Sequence, residues 1–337
     1  MNAARDGTVG GFPGDRRPPH GPYHGGVTDF VMRVADLTVA VRSMHDEIVR
    51  QCADYRLPSA GFEHDRDHAD IAIAVSQRDI DHEREIGAPG DWSDPYLETL
   101  VVLRAIAEHG PALGRILFHG ATIEYGGRAY IFTAPSGTGK STHIRMWRTV
   151  FGDDVDIING DKPLLRVDGR SGEVRAYGTP WAGKERWQRN VSAPLAGICV
   201  VTRAVDDGSY PTGMGVRVVS GGTDGDAATS SDAATTGAGM TGTTGSAGTG
   251  STGGAHGAVP DDAIRVTDDH GVENACWRIG ADEALPLIMR QMYRPDDALA
   301  AVDALGLLDV MLRHVPIFRL SCTISEAAVR ASSAAML

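Results

Sequence analysis

The chain has 337 residues, 42% of them hydrophobic and 23% charged, enough apolar material for a real core in one or two domains. A formal net charge of −12 with no clustered basic stretch argues against a general nucleic-acid binder. No apolar run reaches membrane-spanning length and no charged-then-apolar leader opens the chain, so the expectation is a soluble cytoplasmic protein without a membrane partner.

Residues 1–26 are rich in Gly, Pro and Arg and carry too little apolar surface to offset ordering entropy, so they read as a disordered tail. From 27 to 115 the pattern is a small N-terminal α+β unit. Phe30–Val34 and Leu37–Val41 are β-branched runs joined by an Ala-Asp link, and Asp70–Val75 alternates like a half-buried strand. Ser93-Asp94-Pro95 predicts a cap followed by proline at the first helical position, with the helix running from Pro95 and expected to stop near Gly110-Pro111. Cys52, Cys199, Cys276 and Cys322 lack paired spacing and suit reduced thiols better than a disulfide frame or zinc site.

The next stretch carries the chemistry. Residues 116–128 predict two strands around a Tyr125-Gly126-Gly127-Arg128 turn, with His119 one strand away from the loop that begins after Phe132. A lone His in a strand is usually structural. Ala129 to Thr142 then reads as an apolar strand, a glycine-containing loop and a helix start. Ala134, four spaced residues and Gly139-Lys140-Ser141 match the phosphate-binding loop, or Walker A motif, with Ala for its first Gly. Gly137 and Gly139 permit the positive φ that turns N–H groups inward around a phosphate. Ser136, Thr138 and Thr142 complete the expected phosphate cradle, which the helix N-terminus favours electrostatically. Lys140 is expected to reach the outer phosphates, and Ser141 to be a ligand of Mg²⁺.

Val155 to Pro163 predicts a strand ending in Asp161, where a phosphate-loop enzyme needs a carboxylate for Mg²⁺ or for the nucleophile's proton; a solvated turn Asp is the plain alternative. A hairpin around Asp168–Gly172 comes next. Trp181 and Trp187 then interleave with Lys184, Arg186 and Arg189, which suits an acceptor or phosphate lid, and equally a solvated basic face over buried tryptophans. Residues 206–271 change abruptly to Gly, Thr, Ala, Ser and Asp and read as a disordered insertion in a domain made of 116–205 and 272–337. The C-terminal part predicts helices from Asp282 to near Tyr293-Arg294-Pro295 and through Leu299–Met311, a strand at Ile317–Leu320 and a capping box at Thr323–Glu326. Arg294 could serve a phosphate or simply the helix terminus.

Taken together, His119-Gly120, the Ala134–Thr142 loop, Asn159-Gly160-Asp161 and Gly178-Thr179-Pro180-Trp181 with Gly183-Lys184-Glu185 resemble the HPr kinase/phosphorylase-like proteins. Their P-loop domain is related to that of phosphoenolpyruvate carboxykinase. The resemblance implies an α/β fold with a mixed sheet, a P-loop nucleotide-binding domain and ATP- and Mg²⁺-dependent kinase activity. It also implies catalytic roles for Lys140, Asp161 and His119, and a serine hydroxyl on a protein or peptide as acceptor. The family carries two adjacent carboxylates where this chain has Gly160-Asp161, and its glycine-rich C-terminal signature is missing here. A non-catalytic ATP-binding sensor or assembly protein and a small-metabolite kinase are therefore the alternatives, and a homo-oligomer is left open.

Overall fold

A computed structural model describes residues 27–204 and 259–337. The expected tail and most of the expected insertion lie outside the described residues.

The N-terminal unit is a four-stranded sheet of order β3-β1-β2-β4, built from β1 (Thr28–Val34), β2 (Leu37–Ser43), β3 (Arg56–Leu57) and β4 (Ile71–Ala74). Ala35 and Asp36, both at positive φ (49° and 62°), form the two-residue turn whose twist matches antiparallel strands. Asp36 is held there by Arg166 (2.9 Å) and the Tyr177 hydroxyl (2.5 Å), so this turn also docks the unit onto the rest of the chain. Phe30, Met32, Val34, Val39, Val41, Ile71 and Ile73 share one buried cluster, as a period of two requires. It is covered by α1 (Asp46–Gln51), α3 (Gln77–Ile86) and α4 (Asp94–His109), while the short α2 (Phe62–Asp65) packs Phe62 against Val31 and Ala40. Leu117, Leu164, Tyr177 and Trp181 belong to the same core, so the unit shares its interior with the larger sheet.

The strands of that sheet are β5 (Arg115–Leu117), β6 (Ala121–Tyr125), β7 (Arg128–Thr133), β8 (Val155–Asn159), β9 (Leu164–Val167), β10 (Val174–Tyr177), β11 (Ser192–Arg203), β12 (Ile264–Thr267), β13 (Glu273–Ile279) and β14 (Ile317–Cys322). They form one ten-stranded mixed sheet. Its main path runs β8-β6-β7-β11-β14-β13-β12, and the start of β11 turns away to pair with β10, then β9 and β5. The register of β11 against β7 shifts between Leu195 and Gly197, just beyond the residues that pair with β10. β7, β11 and β14 are parallel; β8 runs the same way as β7, since both are antiparallel to β6. Their carboxyl ends therefore share one edge, where open α/β sheets place ligands.

On one face lie α5 (Lys140–Phe151) and α8 (Glu326–Met336); α6 (Ala281–Met289) and α7 (Ala298–His314) pack into a separate cluster with Ile131, Ile198 and Ile317. Trp147 of α5 is fully buried among Tyr125, Tyr130, Phe132 and Phe151. Its indole N–H is within bonding distance of His143 Nε2 and Ser332 Oγ, both 3.1 Å away. Burial pushes the His143 imidazole down to about 3 from 6.5. Between those two pH values the unfolded chain takes up a proton that the native state refuses, so stability falls as pH drops through this window, by roughly 1 kcal/mol per pH unit. Urea unfolding at successive pH values checks this, and His143→Gln should flatten the slope.

Two expectations need correction. The insertion does not extend to Gly271: β12 at Ile264–Thr267 pairs antiparallel with β13, its β-branched residues completing the sheet edge. The helix from Asp282 does not run to Tyr293 either. It ends at Met289, because Met292 pairs instead with Phe118 and the Tyr293 N–H bonds to Leu117. All four cysteines are free and buried.

Candidate active site

The strand–loop–helix unit forms as the residue pattern predicts. Gly137 and Gly139 sit at φ 74° and 120°, and an added Cβ on either would meet nothing within 4 Å. Glycine is thus needed there for conformation, not for space. Pro135, Ser136 and Gly137 are exposed, Thr138, Ser141 and Thr142 half-buried, and Lys140 is buried. Lys140 Nζ folds back to donate to the Ala134 carbonyl at 2.9 Å. Arg203, at the carboxyl end of β11, donates to the Gly137 carbonyl at 2.8 Å and so ties the neighbouring strand to the loop.

Backbone contacts bring His119 and Asp161 to the same edge. His119 lies in the link between β5 and β6 rather than in a strand. Its carbonyl accepts from the Thr133 hydroxyl (2.7 Å), at the last residue of β7 before the loop, and the adjacent Gly120 N–H donates to the Asp161 carbonyl (2.9 Å). Asn159 builds the turn that presents Asp161: its Oδ1 accepts from the backbone N–H of Asp161 (2.9 Å) and of Lys162 (2.7 Å).

The side chains then converge. His119 Nε2 lies 3.3 Å from Asp161 Oδ1, and Lys162 Nζ lies 3.2 Å from Asp161 Oδ2. Burial alone would raise the Asp161 carboxyl; the His119 hydrogen bond and the Lys162 charge outweigh it and hold the group down at about 2. Gln291 grips His119 twice, its backbone carbonyl accepting from His119 N–H (2.7 Å) and its Oε1 lying 2.9 Å from Nδ1. Nδ1 thus faces Gln291, and Nε2 is the nitrogen turned to the carboxylate. Lys162 and Gln291 are the participants that sequence reading missed. Lys162 stood next to Asp161 in Asn-Gly-Asp-Lys-Pro, whereas Gln291 enters from 172 residues away.

The basic segment after Thr179 divides. Trp181 is buried in the core and its indole N–H donates to Thr99 (3.0 Å), so this tryptophan is structural. Lys184 and Arg186 are exposed, and Arg189 pairs with Asp156 at 2.7 Å. Arg145 of α5 stacks over Trp187 and pairs with Glu185 (3.1 Å), beside an open groove of about 240 Å³ between α5 and this segment. Arg294 is exposed beyond the Phe118–Met292 bridge, on the opposite side of that pairing from His119, and is not brought to the site.

No side chain fits at Gly160: a Cβ there would lie 2.6 Å from the Ala182 carbonyl oxygen. The Gly160 N–H meanwhile donates to Trp187 (2.9 Å), which pins the two segments together. Gly160→Asp is expected to cost about 1–3 kcal/mol from overpacking, read as a lowered melting temperature.

The Asp161 carboxylate and the Ser141 hydroxyl are oxygens of the kind a hard cation takes. Among the described residues no cluster of three or more His, Cys, Asp or Glu could cage a metal. That set fits Mg²⁺ brought by a nucleotide, which binds through one or two protein oxygens plus phosphates. No protein-family model and no curated protein sequence matches the chain. Among the described residues no helix is long and apolar enough to cross a membrane.

Proposed function

We propose that the chain is an ATP- and Mg²⁺-dependent phosphotransferase of the HPr kinase/phosphorylase-like kind, acting on a hydroxyl acceptor. The observation that carries this is the shared edge: the glycine loop with Lys140 ends one strand, and the Asp161–His119 pair meets beside it. ATP lies with its phosphates along Ala134–Thr142, under the N–H groups of the loop and of α5. Lys140 swings from the Ala134 carbonyl to the β- and γ-phosphates. Mg²⁺, when bound through Ser141 and Asp161, neutralises developing charge on the transferred group. The acceptor oxygen attacks the γ-phosphorus in line, the bond to the β–γ bridging oxygen breaks, and ADP leaves. The hydroxyl proton passes to the Asp161–His119 pair.

The exposed Lys184–Arg186 segment favours a seryl hydroxyl on a protein or peptide over an enclosed metabolite. One observation favours a second reading, an ATP-binding sensor or assembly protein without transfer: the tight packing of Gly160 leaves the site with a single acid at the strand end. Equilibrium binding of Mg·ATP beside ADP formation in the presence of source-cell lysate separates the two. The phosphotransferase gives lysate-dependent ADP; the sensor binds ATP tightly and gives negligible product.

A further inference from the structure

Asp161 has both carboxylate oxygens engaged, Oδ1 by His119 and Oδ2 by Lys162. The Lys162 contact is unusual. Its side chain is only 6% exposed, and beyond the 3.2 Å ion pair with Oδ2 its Nζ has no further polar partner among the described residues. A buried ammonium with spare donors is costly unless its charge is answered, and among the described residues Asp161 is its ion-pair partner. The Lys162 backbone cannot move it away: its N–H is held by Asn159 (2.7 Å), and its carbonyl accepts from the Thr179 hydroxyl (2.6 Å). With position 160 closed to any side chain, the strand end offers one acid and one buried cation.

We propose that Lys162 is a built-in counter-cation: its ammonium occupies the Asp161 oxygen at which a divalent cation binds, and yields it only when that cation arrives with nucleotide phosphates. The identity of the cation's carrier rests on the phosphotransferase reading. The ammonium and a divalent ion on one oxygen repel each other, so a free ion must displace Lys162 with little more than Asp161 and Ser141 as protein ligands. A nucleotide supplies further oxygens and the negative charge that accommodates the released ammonium. Beside Nζ, a cavity of about 20 Å³ lined by Lys162, His119, Gln291 and Tyr293 has room for one water or for the ammonium to shift.

The test is Mn²⁺ binding to the full chain without nucleotide, read as loss of the free Mn²⁺ electron paramagnetic resonance signal. Lys162→Met should bind free Mn²⁺ at least ~10-fold more tightly than wild type, about 1.4 kcal/mol. Adding Asp161→Asn to it should remove the gain, and a non-hydrolysable ATP analogue should bring wild type and Lys162→Met close together. Equal Mn²⁺ affinity of wild type and Lys162→Met without nucleotide overturns the proposal. If Lys162→Met does not fold, as judged by circular dichroism, Lys162→Gln supplies the same comparison. Absence of phosphate transfer in separate assays would count against the phosphotransferase reading and would leave the Mn²⁺ result standing.

Discussion

Lys140→Ala is expected to lower phosphate transfer from Mg·ATP by about 10²–10³-fold or more, the size of effect seen when one charge-stabilising donor is removed from a transferring centre. The fold should survive. In the resting loop Lys140 Nζ donates to the Ala134 carbonyl, so the substitution forfeits contacts worth about 1 kcal/mol, and the positive-φ glycines still set the loop. Circular dichroism and a melting curve close to wild type, with transfer lost, are the expected pair of results. A large drop in melting temperature would instead mean that the lysine braces the loop.

Asp161→Asn should abolish transfer to a similar degree, and it should also destabilise the chain. Removing one partner of a buried ion pair leaves the other uncompensated, which costs about 3–5 kcal/mol. Here the stranded group is Lys162, whose side chain is almost wholly enclosed. The double substitution Asp161→Asn/Lys162→Met should recover most of that stability while remaining inactive. Urea unfolding of the three variants measures the recovery. Stability of the double variant no better than that of Asp161→Asn would show that the two side chains are not coupled, since independent sites add.

How far the molecule could be read from its residues depends on range. The phosphate-loop unit lies within fourteen consecutive residues, Ala129 to Thr142, and each feature of it is local: apolar strand, positive-φ glycines, helix start. The Ala35-Asp36 turn and the start of α4 were legible for the same reason, although α4 opens at Asp94, one residue before Pro95, and Ser93 makes no side-chain cap bond. Asp161 was legible because an apolar strand ended at it, but its setting was not. Gln291 reaches His119 only because the chain leaves α6 early to pair with Phe118, a tertiary contact with no local signature. Trp181 could be read as lid or core until the N-terminal unit, which supplies the Thr99 carbonyl, was packed against it. That Gly160 departs from the resembled family was plain in the sequence; that no side chain fits there was not, because the obstacle is the Ala182 carbonyl of another segment. In the C-terminal capping box, Ser325 rather than Thr323 caps α8, because the Thr323 hydroxyl is taken by Asp268 (2.7 Å).

The most direct test of the phosphotransferase account is transfer of γ-labelled phosphate from Mg·ATP into whole source-cell lysate, with wild type and Lys140→Ala in parallel. A labelled protein band that depends on Lys140 is the predicted result, and it would also identify the acceptor. The contradicting result is no labelled product, protein or small molecule, above the Lys140→Ala background while Mg·ATP still binds; the site would then sense nucleotide rather than transfer its phosphate.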